Sequence, residues 1–407
     1  MKKFFKRLLI FVLIIVIIIA FSSSYSALNI DNLATVVALG IDTSDTNNLR
    51  LSFQFTLPSS VTDSGSSEQS PSIVYTVDAS SISSGINLMN TYIGKELNLS
   101  HCKVIAFSEE LAARGISNEI YTLINDAQIR PSTNLVITKT TAKVYIENSK
   151  PTLENLLPKY YEVFVSSSKS TGYTSNATIG HFFNSMTCNA CDSYAILGGI
   201  SSENSESSTD INSQKDSSGK SNESPLADHS NSENTGLAVF KDDRLVGELN
   251  SIETLAFLLT DNKVNGFLVS VPDPEESNSY IDIYLTPITK TSIDVKIVNG
   301  TPYISLKYNL SGRIYSMKSN SKYLNPKTID KISASCSSYL ESTLSSYLYK
   351  ISKDLKSDIN GFGKLAKSNF LTNNDFENYN WSEKFKDSFF DVSVNSSVRS
   401  GFLLTET

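Results

Sequence analysis

Lys2, Lys3, Lys6 and Arg7 precede an unbroken apolar run from Leu8 to Phe21, 14 residues without one polar side chain. Counted from Phe4, the stretch reaches 18 residues and is interrupted only by Lys6 and Arg7. Such a run suits a signal-peptide core or a short membrane anchor. Positive charge ahead of it keeps the leading end in the cytoplasm and sends the rest of the chain across. Everything downstream is therefore constrained to fold outside the cytoplasm. Ser24 and Ser26 fit a cleavage site only loosely, and no Cys follows the run to carry a lipid. The reading preferred here is an uncleaved anchor over residues 1–27. No later stretch is long and apolar enough to span.

The chain has 407 residues, of which 40% are hydrophobic, enough for two or three cored domains. A net charge of −7 argues against a nucleic-acid binder, which carries a basic patch or stripe. Cys102, Cys188, Cys191 and Cys336 are too few for a disulfide framework, so the domains must fold on apolar burial. The bias toward Ser, Asn, Ile, Lys and Tyr is read partly as nucleotide bias of the source.

Periodicity gives the elements. "LATVVALGID" (Leu33–Asp42) reads as a buried strand, and "LRLSFQFTL" (Leu49–Leu57) alternates with period two, a half-buried strand. Ile82, Ile86, Met89 and Ile93 mark one helix face. "KVIAF" is a short strand, capped by Ser108 into a helix that stops at Gly115, and a further helix covers about 118–129. "NLVITKTTAKVYI" (134–146) reads as one strand. Strands alternating with helices predict a mixed α/β domain. A helical stretch interrupted by Pro158 follows, completing an N-terminal unit over 28–200. Residues 201–234 contain 12 Ser in 34 positions and almost nothing apolar, and read as a disordered insert. A middle domain (235–290) opens with a hairpin turning at Asp242-Asp243. The C-terminal domain (291–407) has a hairpin at Asn299-Gly300, a long helix from Asn325-Pro326 to about Ile359, and a last strand at 389–398.

Several spellings suggest chemistry, and each has a plainer reading. Gly361-x-Gly363-x-x-Ala366 matches a dinucleotide loop, but that loop must follow a strand and open a helix. Here the glycines follow a helix, where they read as a stop and reversal with Phe362 packed beneath. "DSGS" (63–66) has an aspartic-protease spelling but lies in a polar loop without a second copy. Cys188-x-x-Cys191, with His181 seven residues earlier, lacks the strand-then-helix flanks of a redox motif and the fourth ligand of a zinc site. A local disulfide or two free thiols is the plainer reading. Its functional rival is an extracytoplasmic metal or thiol-redox protein using Cys188, Cys191 and His181. His101 opens an apolar strand, and His229 lies in the Ser-rich insert. No G-x-S-x-G elbow accompanies them. Trp381 reads as an anchor packing a loop.

Four stretches in order carry a family resemblance: "LATVVALGID"; "HCKVIAFSEELAARGI" with "INDAQIRPSTNLVIT"; "GLAVFKDDRLVGELNSIETLAFLL"; and "LKSDINGFGKLAKSNF" with "NYNWSEKF". The chain resembles the Ger(x)C family, the C subunits of spore germinant receptors. The resemblance implies an α+β ectodomain of about three mixed sheet-and-helix domains behind the N-terminal anchor, on the outer face of the inner spore membrane. It implies assembly with the membrane and with integral-membrane A-type and B-type receptor subunits, without nucleic acid. No enzyme activity, cofactor, metal or catalytic residue comes with it. Asp358, Gly361, Phe362, Gly363 and Trp381 would be a structural signature of the last domain. The chain departs from the family in lacking a lipobox Cys, and its Ser-rich insert is longer than typical. A small-ligand binder that touches the germinant directly is a third possibility, with no residue set to name.

Overall fold

The apolar run at Leu33 becomes an interior strand of a nine-stranded sheet in the computed structural model of the chain. The structure describes residues 2–22, 32–45, 48–56, 72–150, 156–166, 172–200, 232–276, 279–317 and 326–399. The strands of this first sheet are β1 (Leu33–Thr43), β2 (Leu49–Thr56), β3 (Ser72–Ala79), β4 (Glu96–Asn98), β5 (Val104–Ser108), β6 (Asn134–Thr138), β7 (Tyr194–Ile200), β8 (Ser232–Lys241) and β9 (Arg244–Leu249). Their order is β3-β2-β1-β5-β6-β7-β8-β9, with β4 beside β1. β1, β5, β6 and β7 run parallel, and antiparallel pairs extend the sheet on either side.

Parallel strands covered on both faces need apolar residues at successive positions. Ile105, Phe107, Leu135, Ile137, Ala195 and Leu197 pack on one face beneath helices Ile82–Ile93, Ser117–Asn125 and Ile179–Met186. Val104, Ala106, Val136, Tyr194 and Ile196 face the other way, into a core that continues to the second sheet. Period two thus divides one strand between two cores.

Residues 134–146 are not one strand. β6 stops at Thr138, and Thr141 caps a helix over Ala142–Asn148, its side chain accepting from the Val144 N–H. The buried carboxylate of Asp42 takes the next two free donors, Ala142 N–H at 2.6 Å and Lys143 N–H at 3.1 Å. Ser108, by contrast, makes no side-chain cap to the helix it precedes. Helix Ser117–Asn125 ends four residues before Ile129. The helix near Pro158 runs Leu157–Ser166 with that proline in its first turn, where its missing N–H goes unnoticed.

The second sheet holds β10 (Phe267–Pro272), β11 (Tyr280–Pro287), β12 (Ser292–Val298), β13 (Thr301–Met317) and β14 (Phe389–Arg399). β13 pairs β12 along its first half, β11 along its second, and β14 in parallel along its other edge. Asn299 and Gly300 turn β12 into β13 with φ of 50° and 79°, the left-handed pair a tight hairpin requires. Asp242, at φ 55°, is the one left-handed residue of the turn that joins β8 to β9. The β8–β9 hairpin joins the first sheet, whereas β10 and β11 join the second, so the segment 235–290 is shared between the two.

Helix Pro326–Tyr349 buries Ile332, Cys336, Leu340, Leu344, Tyr347 and Leu348 against the second sheet. It also closes the sheet's free edge. Val394 N–H donates to Glu341 Oε1 at 2.9 Å, Ser396 N–H to Ser337 Oγ at 3.1 Å, and Val398 N–H to Ser333 Oγ at 3.1 Å. Four helical residues rise about 6 Å and two strand residues about 6.6 Å, so the two rows stay in step. The helix ends sooner than its apolar stripe suggests. It widens to a π-turn over Lys350–Asp354, and Lys356 takes the left-handed stop at φ 53°.

The N-terminal helix spans Lys2–Ser22, and its apolar side chains from Phe4 to Ile17 are all exposed. Among the described residues, which give side chains for positions 4–17 of this helix, none is long and apolar enough to cross a membrane. Most of the Ser-rich insert, residues 201–231, lies outside the described residues. Its last positions, from Ser232, already belong to β8. Asn325 and the 63–66 loop also lie outside them.

Candidate functional site

The loop between helix Ile179–Met186 and β7 carries Cys188, Cys191 and Asp192. It meets the segment that follows the long helix. Asp192 N–H donates to the Asp358 carbonyl at 2.9 Å, and Asp358 N–H donates back to Asp192 Oδ2 at 2.7 Å. Ser357 Oγ donates to the Phe240 carbonyl at 2.6 Å, tying the same segment to β8. Lys241 Nζ sits 3.4 Å from Asp192 Oδ2 and also reaches Ser382 Oγ, beside Trp381. Four segments distant in sequence are thus clasped at one point.

Asp358 is the centre of that clasp. Its Oδ1 accepts from Phe362 N–H at 2.9 Å; its Oδ2 accepts from Gly363 N–H at 2.8 Å and from Trp381 Nε1 at 2.9 Å. The carboxyl is 1% exposed. Burial pushes its pKa up to about 7 against those three donors, and the charge of Asp192 adds to the rise. Asp192 is raised too, first by burial, with Lys241 and the Asp358 and Asp242 N–H groups opposing.

All five signature positions come together here. The two glycines differ in kind. Gly361 has φ 71° and precedes the short helix Phe362–Ala366. It does not stop the long helix, since Lys356 has done so. Gly363 has ordinary helical backbone, but an added Cβ would lie 2.5 Å from the Trp381 ring and 2.6 Å from the Ala190 carbonyl oxygen. Phe362 packs against Phe385 and Phe390. The dinucleotide spelling therefore does precede a helix N-terminus, but Asp358 of the same chain already holds the N–H groups that a phosphate would need.

Beside the clasp lies a pocket of about 170 Å³, lined by Cys188, Asn189, Cys191, Asp192, Trp381 and Glu377 among others. Cys191 is buried and its thiol is pushed up to about 12, first by burial and then by the neighbouring Cys188 thiol, with Lys364 opposing the rise. His181 does not complete a ligand set with them. Its ring lies 4.7 Å from that of Tyr194, and burial with Lys263 and Lys364 nearby lowers its pKa to about 4. Among the described residues no three His, Cys, Asp or Glu side chains are placed to hold a metal ion. His101 and Cys102 lie apart, at the entry to β5.

Behind Tyr194 runs a second polar chain. Lys263 Nζ donates to Tyr194 OH at 2.8 Å and pairs with Asp261 at 2.9 Å; Asn360 Nδ2 donates to Asp261 at 2.6 Å, and Tyr347 OH donates to Asn360 at 2.5 Å. Sequence reasoning missed Asp192, Lys241, Asp261 and Lys263. The signal for Asp192 was slight: a lone acid leading into an apolar strand.

Comparison with known proteins accounts for most of the chain. The spore germination protein N-terminal domain matches residues 26–197, and the domain described as spore germination B3/GerAC like, C-terminal, matches residues 235–401. Spore germination protein KC of Bacillus subtilis (strain 168) is 23% identical over 375 residues, covering 88% of this chain and 86% of that protein. The crystal structure of the GerBC protein, at 17% identity, is similar in fold, with a TM-score of 0.51 over 88% of this chain and 96% of that one.

Proposed function

Because the chain belongs to the Ger(x)C family of spore germination proteins, we propose that it is the C subunit of a nutrient germinant receptor and acts by assembly, not catalysis. The observation that carries this reading is the order and reach of the two matching segments, which cover residues 26–197 and 235–401. The non-catalytic part is supported by the junction itself. Asp358 is its most perturbed carboxyl, and both of its oxygens are engaged by N–H groups of the same chain. A general base needs an oxygen turned toward a substrate.

In this reading integral-membrane A-type and B-type subunits are the partners, and the clasp at Asp192 and Asp358 passes a load from one sheet to the other. Helix Lys2–Ser22 is the anchor. Its apolar run of 14 residues, Leu8 to Phe21, rises about 21 Å, short of the roughly 30 Å apolar core of a bilayer, so the anchoring also draws on the flanking Lys and Arg at the membrane surface. The apolar side chains described from Leu8 to Ile17 are all exposed, and such a surface is suited to lipid. The ectodomain then lies outside the cytoplasm, on the inner spore membrane.

The test is purification of the tagged chain from spore inner membrane. The proposal expects the integral receptor subunits to come with it, and an intact N-terminus in the membrane fraction. Recovery only as a free soluble protein would count against it.

A further inference from the structure

Of the four cysteines, Cys102 and Cys336 are buried apart from each other, at 4% and 0% exposure, and take no part in the junction. Cys188 and Cys191 lie close together in the junction. They stand at the two ends of the turn formed by Asn189 and Ala190. A turn brings its first and fourth Cα atoms within about 7 Å, and a disulfide spans about 4.4–6.8 Å. The Cys188 sulfur folds over this turn, accepting from Ala190 N–H at 3.4 Å. Both cysteines line the 170 Å³ pocket, Cys188 partly exposed and Cys191 buried.

We propose that Cys188 and Cys191 form a reversible dithiol–disulfide pair, closed by a small-molecule disulfide, that fixes the turn presenting Asp192 to Asp358. The exposed Cys188 thiolate attacks one sulfur of the incoming disulfide, whose S–S bond breaks and releases one thiolate. Cys191 then gives up its proton to solvent, and its thiolate attacks the Cys188 sulfur. The second small thiolate leaves. The protein dithiol gives up two electrons and two protons, and the small disulfide becomes two thiols. The consequence reaches the clasp by two routes. Asp192 is the next residue, and the Cys191 Cβ lies 3.5 Å from where a Cβ on Gly361 would stand. This inference does not rest on the receptor reading.

The experiment uses the full-length chain in detergent, titrated with oxidised and reduced glutathione under native conditions and read by peptide mass spectrometry. The expected product is a Cys188–Cys191 bond that reduced glutathione reopens, with Cys102 and Cys336 still alkylatable after unfolding. Cys191→Ser should accumulate a glutathione adduct on Cys188, and Cys188→Ser should leave Cys191 unmodified. In the oxidised parent, hydrogen exchange at the Asp358, Phe362 and Gly363 amides should slow several-fold. A lasting adduct on Cys188 of the parent, no reaction without denaturant, or adduct formation on Cys191 of Cys188→Ser would overturn the pair. Unchanged exchange after closure would overturn its link to the clasp.

Discussion

Asp192 and Asp358 hold each other by two bonds in opposite directions, one backbone to backbone at 2.9 Å and one from backbone to carboxylate at 2.7 Å. Two buried acids so close repel one another, and the surrounding N–H groups and Lys241 hold them in place. Most of what can be tested about this protein begins there.

Removing the Asp358 carboxylate leaves three donors without an acceptor: the Phe362 and Gly363 amides and the Trp381 indole. Each unmet buried donor costs about 1–3 kcal/mol. Asp358→Ala is expected to lose at least about 3 kcal/mol in urea unfolding. Asp358→Asn should lose less, because one carbonyl oxygen still accepts. Equal losses for the two would show that the donors find water instead.

The same carboxyl sets a pH dependence. Its folded pKa is raised from 3.8 to about 7, so the fold favours the protonated form. The stability it contributes is complete below about pH 4 and is lost as pH rises through about 7. Asp192 shifts in the same direction. Melting temperatures of the parent minus those of Asp358→Asn should therefore fall between pH 4 and 7. A difference that grew with pH would mean that the three donors outweigh burial.

Gly361 and Gly363 should fail differently. Gly361→Ala meets strain at positive φ, about 1–2 kcal/mol, with room for the methyl group. Gly361→Asn should be milder, since Asn tolerates that region, and Gly361→Val should loosen the last domain locally. Gly363→Ala meets the indole directly and is expected to cost about 1–3 kcal/mol. A shift in Trp381 fluorescence in Gly363→Ala, absent in Gly361→Ala, distinguishes the two.

The edge of β14 is a separate test. Glu341→Ala and Ser337→Ala each uncover a strand N–H, at about 1 kcal/mol apiece. A freed edge also pairs with other chains. The double variant should self-associate in sedimentation while the parent does not.

Much of this architecture was legible because period-two alternation and the turns at Asp242 and Asn299 are local signals. The errors have separate physical causes. The helix Ala142–Asn148 reads as strand because Thr138, Thr140 and Thr141 are β-branched, and its capping acid, Asp42, lies 100 positions away. The long helix was drawn past Lys356 because a left-handed lysine has no spelling. Ser333 and Ser337 passed for compositional bias, yet they close a sheet edge. The signature residues could be named together from the resemblance, but Asp192 could not, since it binds Asp358 from 166 positions away.

The two matching domains meet between residues 197 and 235, and that boundary runs through a sheet. β8 and β9 fall on the C-terminal side of it, yet they complete the N-terminal sheet, with Leu237, Ala238, Val239 and Phe240 all fully buried. Severed there, the first part would expose the bare flank of β7 and the second would carry an orphan hairpin. The two portions therefore stabilise each other, and a cut between residues 200 and 232 should unfold the flank of each.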